Sequence, residues 1–401
     1  KKASVFIIGT SMMLSTCFFP LSEGLENEKR TVFMKKIAFA MIACLSFFCF
    51  APSFCRAEGK TRLFVVSSYH REYLWSQDTN KGLCAAFKNF KFLDNDQQID
   101  EYMKNDFVET DTVVIKKAWM DTKRKNKKEE IAATTAAIMS EIKAFNPDIV
   151  LLGDDNATNF IGAYLVNTSV PVVFWGVDFN PMAYGYLDSV EHPGRNVTGV
   201  YQSGYFVESL EALKKLLPGL KTFAILSDGS ETGKAKSRVV AQFAEEGNLP
   251  MQLVDQVATN SYSEWKDSAR QLSGKADALL IVNHSTLRNS KGELVDSLMA
   301  GAWYLANIKK PEAVPEGQFV TEGMLLTVDD SGFKQGYEAG RMADRILHQK
   351  IAPADIAVIA PTRGAIMVNR QRAAMLGVDV ANKDFIEEFV EKSAALEKYP
   401  Q

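Results

Sequence analysis

Short apolar runs alternate with longer segments of helical period along most of this chain. The runs are continuous rather than alternating, as expected of strands buried on both faces of a sheet. They are Leu63 to Val66, Val113 to Ile115, Ile149 to Leu152, Val172 to Trp175, Phe223 to Leu226 and Ala278 to Val282. Between them, residues 131–145 and 210–217 carry their apolar side chains on one helical face. This order predicts parallel sheets with crossover helices.

The chain is long enough for two domains, and one sheet would not comfortably take every predicted strand. Residues 188–199 lack either periodicity and divide the alternation into two similar halves, so we place a crossing between lobes there. A later helix is predicted over residues 333–347, with Gly336 and Gly340 one turn apart for close packing. The tail offers another strand near residues 365–368 and a short helix. The predicted fold class is α/β with two lobes.

The N-terminal region has the pattern of a bacterial signal peptide. Met34-Lys35-Lys36 precedes an apolar run over residues 37–50, and a small-residue cleavage site ends at Ala57. The run is shorter than the ~20 residues of a membrane-spanning helix. We therefore assign residues 34–57 to a signal peptide and residues 1–33 to an upstream extension, with a retained membrane anchor as the alternative. The predicted location is the periplasm, without stable membrane insertion after cleavage.

Cysteine content and charge exclude several classes of function. Four of the five cysteines precede the predicted cleavage site, and Cys84 alone would remain, which leaves no intrachain disulfide and no cysteine-based metal site. The net charge is −3 and the charged residues are interspersed, so no basic surface for nucleic acid is expected. We predict neither a cofactor nor a metal.

Polar and aromatic side chains follow the predicted strands of both halves. In open parallel sheets, ligands bind beyond the carboxyl ends of the strands, so these side chains predict a cleft that holds a small polar ligand between two lobes. The candidates are Ser68, Tyr69, His70, Asp154, Asp155, Asn156, Thr158, Trp175, Asp178, Tyr201, Asp228, Asn283 and His284.

Structural roles compete with ligand contact at several of these positions. Asp155 and Asn156 stand where a helix should begin, and such side chains commonly cap the helix. Asp154 and Asp178 are less easily explained as caps, and a ligand ammonium group would need one of these carboxylates. A tryptophan inside an apolar strand, such as Trp175, is more often part of the core.

Enzyme motifs are lacking. Residues 229–235 superficially resemble a phosphate-binding loop, but the glycine spacing is one residue short and no serine or threonine follows the lysine. The sequence has no G-x-G-x-x-G after a strand, no G-x-S-x-G and no H-E-x-x-H, and its four histidines are scattered. We therefore predict no catalytic residues and a binding protein rather than an enzyme.

A series of short motifs resembles the ABC-transporter substrate-binding proteins of the type I periplasmic binding fold, in the group that includes aromatic amino-acid binding proteins. The motifs are Ser68-Tyr69-His70 with Trp75, Met120-Asp121-Thr122-Lys123-Arg124, Pro147-Asp148-Ile149-Val150, Asp154-Asp155-Asn156-Ala157, Pro171-Val172-Val173-Phe174, Asn196-Val197-Thr198-Gly199 and Gly336-Tyr337-Glu338-Ala339-Gly340. Each is weak singly, but their order and spacing are fairly specific. The chain departs from the family pattern at Asp154 and Asp155, where small residues are common.

The resemblance implies a clamshell with a parallel sheet in each lobe. It places residues 60–195 and 328–352 in one lobe, residues 196–327 and 353–380 in the other, and a tail at 381–401. It also adds Asp329 to the cleft. The implied function is capture of a small polar ligand, such as an amino acid, and delivery by a monomer to the permease subunits of an ABC transporter. The alternatives are a sensory module acting with a separate membrane receptor and, less favoured, a hydrolase.

Overall fold

Two β-sheets with helices on both faces organise this chain, for which the computed structural model describes residues 59–178 and 180–400. The predicted signal peptide, the upstream extension and four of the cysteines lie outside these residues. The strands are β1 Thr61–Ser67, β2 Phe107–Glu109, β3 Val113–Trp119, β4 Ile149–Gly153, β5 Val172–Asp178, β6 Val197–Gln202, β7 Thr222–Ser227, β8 Gln252–Ala258, β9 Ala278–Asn283, β10 Glu312–Ala313, β11 Leu326–Val328, β12 Ile366–Asn369 and β13 Glu388–Val390.

Helices occupy most of the chain between the strands. They are α1 Leu74–Asn89, α2 Asp96–Asn105, α3 Lys128–Phe145, α4 Asp154–Phe160, α5 Gly162–Leu165, α6 Phe206–Leu216, α7 Glu231–Glu245, α8 Tyr262–Lys275, α9 Ser297–Asn307, α10 Gly317–Glu322, α11 Gly332–Leu347, α12 Arg370–Leu376 and α13 Ala394–Lys398. None of the helices described here is both long enough and apolar enough to cross a membrane.

The first sheet has the order β2-β3-β1-β4-β5-β6, and the second has the order β13-β12-β11-β10-β9-β7-β8. Pairing is parallel except between β2 and β3 and between β11 and β12. The predicted α/β class with a largely parallel sheet in each lobe is therefore confirmed. All seven predicted strands are present, with small extensions at their ends.

Each sheet is buried on both faces, which explains its continuous apolar strands. In the first sheet, Leu63 and Val65 face a core with α1 and α11, whereas Phe64 and Val66 face a core with α3 and α4. The second sheet likewise separates a core with α8 and α9 from a core with α6 and α7. We call the first sheet with α1–α5 and α11 the first lobe, and the second sheet with the other helices the second lobe.

The chain passes between the lobes at three places in the described residues, and these correct the predicted boundaries. Strand β6 pairs with β5 and belongs to the first lobe, so the first crossing follows Gln202 rather than preceding Asn196. Ile359 pairs with Val200, which keeps residues 353–359 with the first lobe. Strand β13 pairs with β12, and α13 packs in the core that the second sheet forms with α8 and α9. Residues 381–400 are therefore part of the second lobe and not a separate tail.

Helices α1 and α11 touch through glycines, as the spacing of Gly336 and Gly340 predicts. A methyl group at Gly336 would lie 2.0 Å from the Thr79 carbonyl oxygen, and one at Gly340 would lie 2.4 Å from the Ala86 methyl. Because α11 follows the second crossing, this close packing anchors the returning chain on the first lobe.

Candidate functional site

A small cavity lies between the lobes, at the carboxyl ends of strands from both sheets. We call it the central cavity. Its lining from the first lobe is Tyr69, Tyr73, Trp75, Lys123, Asp178 and Gln202, and from the second lobe Thr232, Lys236, Val282, Asn283, Glu316 and Gln318. Two wider openings flank it: the Asp155 opening, which includes Asn156, Tyr184 and Ser230, and the His70 opening, which includes Arg124, Ser285 and Leu298.

Lys236 of α7 connects the two lobes at the centre of this cavity. Its ammonium lies 3.2 Å from Asp178 and donates to the Gln202 Oε1 at 3.0 Å, both in the first lobe. It also pairs with Glu316 of the second lobe. The three ionic side chains are between 4% and 8% exposed, so this is a buried charge network rather than a surface ion pair.

The pKa values of Lys236 and Asp178 are both raised, but for different reasons. Burial alone would lower the pKa of the Lys236 ammonium, but Asp178 and Glu316 outweigh burial and hold it above its ordinary value. Burial raises the pKa of Asp178 to about 8 although Lys236 opposes the shift. Lys236 is therefore firmly cationic, whereas Asp178 is poised to take up or release a proton near neutral pH.

Asp155 and Asp178 come together beside this lysine, from α4 and β5. The Asp178 amide donates to Asp155 Oδ1 at 3.3 Å, and the Tyr184 hydroxyl donates to the same oxygen at 2.5 Å. The Oδ2 atoms of both aspartates are buried without a hydrogen-bond partner. Burial raises the pKa of Asp155 as well. Two buried, unpartnered carboxylate oxygens are suited to accept hydrogen bonds from a cationic group.

Asp154 has a different role, because it fixes Trp75. The Trp75 indole donates to Asp154 Oδ1 at 2.6 Å, and both residues are buried. A bulge in β5 allows this approach: Gly176 has a φ of 67°, and a methyl group there would lie 2.5 Å from Asp154 Oδ1. Burial raises the pKa of Asp154 to about 7, despite the hydrogen bond from Trp75.

Neutral hydrogen bonds join the lobes next to the charge network. The Tyr73 and Ser285 hydroxyls lie 3.0 Å apart across the cleft. Gln318 of the second lobe accepts from the Trp75 amide at 3.1 Å and donates to the Tyr73 hydroxyl at 3.1 Å. On the side of Tyr73, these hydrogen bonds connect the wall of the cavity from the first lobe to the wall from the second lobe.

Carboxylates also hold the crossings between lobes. Asp330 Oδ2 accepts from the Gly204 amide at 2.7 Å and joins the first crossing to the second. Asp329, which the resemblance placed in the cleft, accepts from the Gly317 amide at 2.7 Å, and its own backbone pairs with Gly364 and Ala365 of the third crossing. Burial raises the pKa of Asp329 to about 7 and of Asp330 to about 6.

Six of the candidates line the cleft. Tyr69, Asp178 and Asn283 line the central cavity, Asp155 and Asn156 line the Asp155 opening, and His70 lines the His70 opening.

Three other candidates lie in the interior of a lobe, and their placement in the cleft is corrected. Trp175 is fully buried among Leu63, Leu83 and Val173, with its ring against Gly153 of the adjacent strand. His284 packs inside the second lobe, where its Nε2 lies 2.7 Å from Glu322. Thr158 is buried in α4. A side chain near the carboxyl end of a strand thus faces the core as readily as the cleft.

Ser68 and Asp228 bond to the backbone of neighbouring elements, and Tyr201 packs against a core. The Ser68 hydroxyl donates to the Gly153 carbonyl at 2.6 Å and accepts from the Ala157 amide at 2.8 Å. Asp228 accepts from the Ser230 hydroxyl and from the Thr286 amide, and Ser230 itself caps α7 by accepting from the Gly233 amide. Tyr201 packs against the core between the first sheet and α3.

Three charged residues that line the central cavity were not among the sequence candidates: Lys123, Lys236 and Glu316. Lys123 lies in the Met120 to Arg124 motif, which was the available signal. Lys236 looks like an exposed helical lysine, and Glu316 follows β10, a strand of two residues that carries no detectable pattern. Among the described residues, no group of three or more histidine, cysteine or acidic side chains could hold a metal ion.

The family model for ABC transporter substrate binding protein matches residues 99–389. The chain belongs to this family. Membership assigns it to substrate-binding proteins and not to enzymes. A curated relative, the tyrosine-binding protein of Clostridioides difficile strain R20291, is 26% identical over 255 residues, which cover 63% of this chain and 70% of that protein.

Solved structures show the same fold. The ABC domain in complex with L-Trp from Streptococcus pneumoniae aligns with a TM-score of 0.60 at 18% identity, over 83% of this chain and 100% of that one. The ligand-free, open structure of a substrate-binding protein with adhesive properties from Clostridium difficile aligns with a TM-score of 0.60 at 19% identity and the same coverage. A conserved domain protein from Vibrio cholerae gives a TM-score of 0.62 at 15% identity, again over 83% and 100%.

Proposed function

We propose that this substrate-binding protein works in the periplasm as a monomer, captures a small amine-bearing ligand between its lobes, and delivers it to the permease subunits of an ABC transporter. The observation that carries the proposal is the central cavity, whose charged walls come from both lobes. A ligand that contacts both walls stabilises the closed arrangement, and it does so by its greater affinity for that arrangement.

The carboxylates support an amine as one part of the ligand. Asp155 and Asp178 each present a buried oxygen without a partner, and Lys236 already occupies the other oxygen of Asp178. An ammonium group between the two free oxygens would receive charge-assisted hydrogen bonds. The tyrosine-binding relative and the L-Trp-bound structural neighbour support an amino acid as the first compound class to test.

The test is a thermal-shift screen of amino acids, nucleosides, sugars and divalent metals, followed by calorimetry on every compound that raises the melting temperature. We expect an amine-bearing compound to bind with a one-to-one ratio and to remain chemically unchanged. The variant Asp178→Asn should weaken its binding at least tenfold, because the amide cannot become negatively charged when an ammonium group binds and presents donors as well as an acceptor.

The matched control is Asp267→Asn, which changes an exposed carboxylate whose partner Arg270 lies one turn away on α8. It should leave affinity unchanged. A screen without a binding compound would contradict the proposed function, and so would turnover of the bound compound. If Asp178→Asn and the wild type bind the compound with equal affinity, the carboxylates do not bind the ligand.

A further inference from the structure

Lys123 is a buried lysine whose ammonium has no hydrogen-bond acceptor in residues 59–178 and 180–400. Its residue is 5% exposed, and it has neither a hydrogen bond nor an ion pair among the described residues. It lines the central cavity and also both the Asp155 opening and the His70 opening. The Lys123 side chain therefore lies where the central cavity, the Asp155 opening and the His70 opening meet.

The rings of Tyr69 and Tyr73 lie next to this ammonium and interact with it as cation–π partners. Its Nζ lies 4.4 Å from the centre of the Tyr69 ring and 5.2 Å from that of the Tyr73 ring. Ring faces attract a cation, but they offer no acceptor for its three N–H donors. Lys236 is the useful comparison, because it is equally buried and has two carboxylates and an amide oxygen around it.

The free donors of Lys123 and the free oxygens of Asp155 and Asp178 border the same cleft, since Lys123 and both aspartates line the Asp155 opening. Lys123 thus has no anionic partner among the described residues, and the Oδ2 atoms of Asp155 and Asp178 have no hydrogen-bond donor there, although Asp178 Oδ1 pairs with Lys236. We infer that Lys123 binds the anionic group of the ligand, so that the site selects dipolar compounds with a carboxylate and an amine over simple amines. This inference rests on the proposed function and narrows its ligand class.

The electrostatics around Lys123 agree with this geometry. Burial lowers the pKa of Lys123, and the carboxylates of Asp228, Glu316 and Asp154 oppose that shift from a distance without contacting the ammonium. An anion that arrives with the ligand would stabilise the charged form directly. Without such an anion, the buried charge of Lys123 destabilises the protein, as is common for residues that serve binding.

The first experiment measures ligand affinity by calorimetry with the twenty L-amino acids and their carboxamides as probes. For every amino acid that binds the wild type, the carboxamide should bind at least tenfold more weakly. In Lys123→Met the acid should lose at least tenfold in affinity and the preference for acid over amide should disappear. The control Lys125→Met, which changes a neighbouring lysine with a side chain 55% exposed, should behave like the wild type.

The second experiment measures the melting temperature of the ligand-free variants. If Lys123 serves the ligand, its replacement by methionine removes an uncompensated buried charge and should raise the melting temperature. A lower melting temperature would assign Lys123 a structural role and overturn the inference.

The outcomes separate this inference from the proposed function. If compounds bind the wild type and Lys123→Met keeps both affinity and acid-over-amide preference, the inference is wrong and the proposed function stands. If neither acids, amides nor any other compound of the screen binds the wild type, the proposed function fails and this inference fails with it.

Discussion

Replacement of Lys236 by methionine is the perturbation for which the structure gives the clearest magnitude. The variant keeps the buried aliphatic stem but removes the ammonium between Asp178 and Glu316. Removal of one partner from a buried ionic network costs ~3–5 kcal/mol, because the remaining charges lie buried without compensation. Lys236 belongs to the second lobe, whereas Asp178 and Gln202 belong to the first. The variant therefore also loses the ionic contact and the hydrogen bond that join the two lobes.

The loss should depend on pH. Without the lysine, Asp178 can avoid repulsion by Glu316 if it takes up a proton, which is easier at pH 5 than at pH 8. We expect the free energy of unfolding to fall by ~3 kcal/mol or more at pH 8 and by clearly less at pH 5.

The assay is urea denaturation at both pH values with linear extrapolation. The control is Lys234→Met, two residues earlier on the same helix, where the side chain is 45% exposed and lies 3.7 Å from Glu231. That exposed pair should contribute less than ~1 kcal/mol. If Lys236→Met unfolds at the same urea concentration as Lys234→Met at pH 8, the buried network does not stabilise the protein and the reasoning is refuted.

Two further predictions concern stability. Burial raises the pKa of Asp154 to about 7 and of Asp178 to about 8, so the ligand-free folded protein binds more protons than the unfolded chain above about pH 4. Its melting temperature should therefore fall from pH 5 to pH 8, and a rise over this range would contradict the shifts. Gly336→Ala should destabilise the protein by at least ~1–3 kcal/mol, since its methyl would meet the backbone of α1. Gly274→Ala, in an exposed helical position with nothing within 4 Å, should instead stabilise it by ~0.5–1 kcal/mol in the same urea titration.

The sequence predicted the fold through its continuous apolar strands and failed where a strand lacks that signature. Strand β8 alternates between exposed and half-buried residues at the edge of its sheet, so it presents no apolar run. Strand β6 contains Gly199, which we interpreted as part of an irregular crossing. The glycine is there because a methyl group would lie 2.4 Å from the Phe174 carbonyl oxygen of the neighbouring strand.

The site was predictable to the extent that strand ends define it. Asp178 and Asn283 follow from the rule on carboxyl ends, and both line the central cavity. Trp175 obeys the same rule by position, yet its ring faces the core. Lys234 and Lys236 differ by two residues on one helix, and only the docking of the lobes makes the second a buried partner of Asp178. Such tertiary pairings carry no local sequence pattern.

The most direct test of ligand capture between the lobes is mass spectrometry of the protein as purified, under native and then denaturing conditions. We predict that the native protein carries one small dipolar molecule, that denaturation releases it intact, and that Asp178→Asn retains much less of it. The released compound should also raise the melting temperature of the emptied protein when it is added back. A native mass equal to that of the polypeptide alone, in a protein that also responds to no compound of the thermal screen, would contradict ligand capture between the lobes.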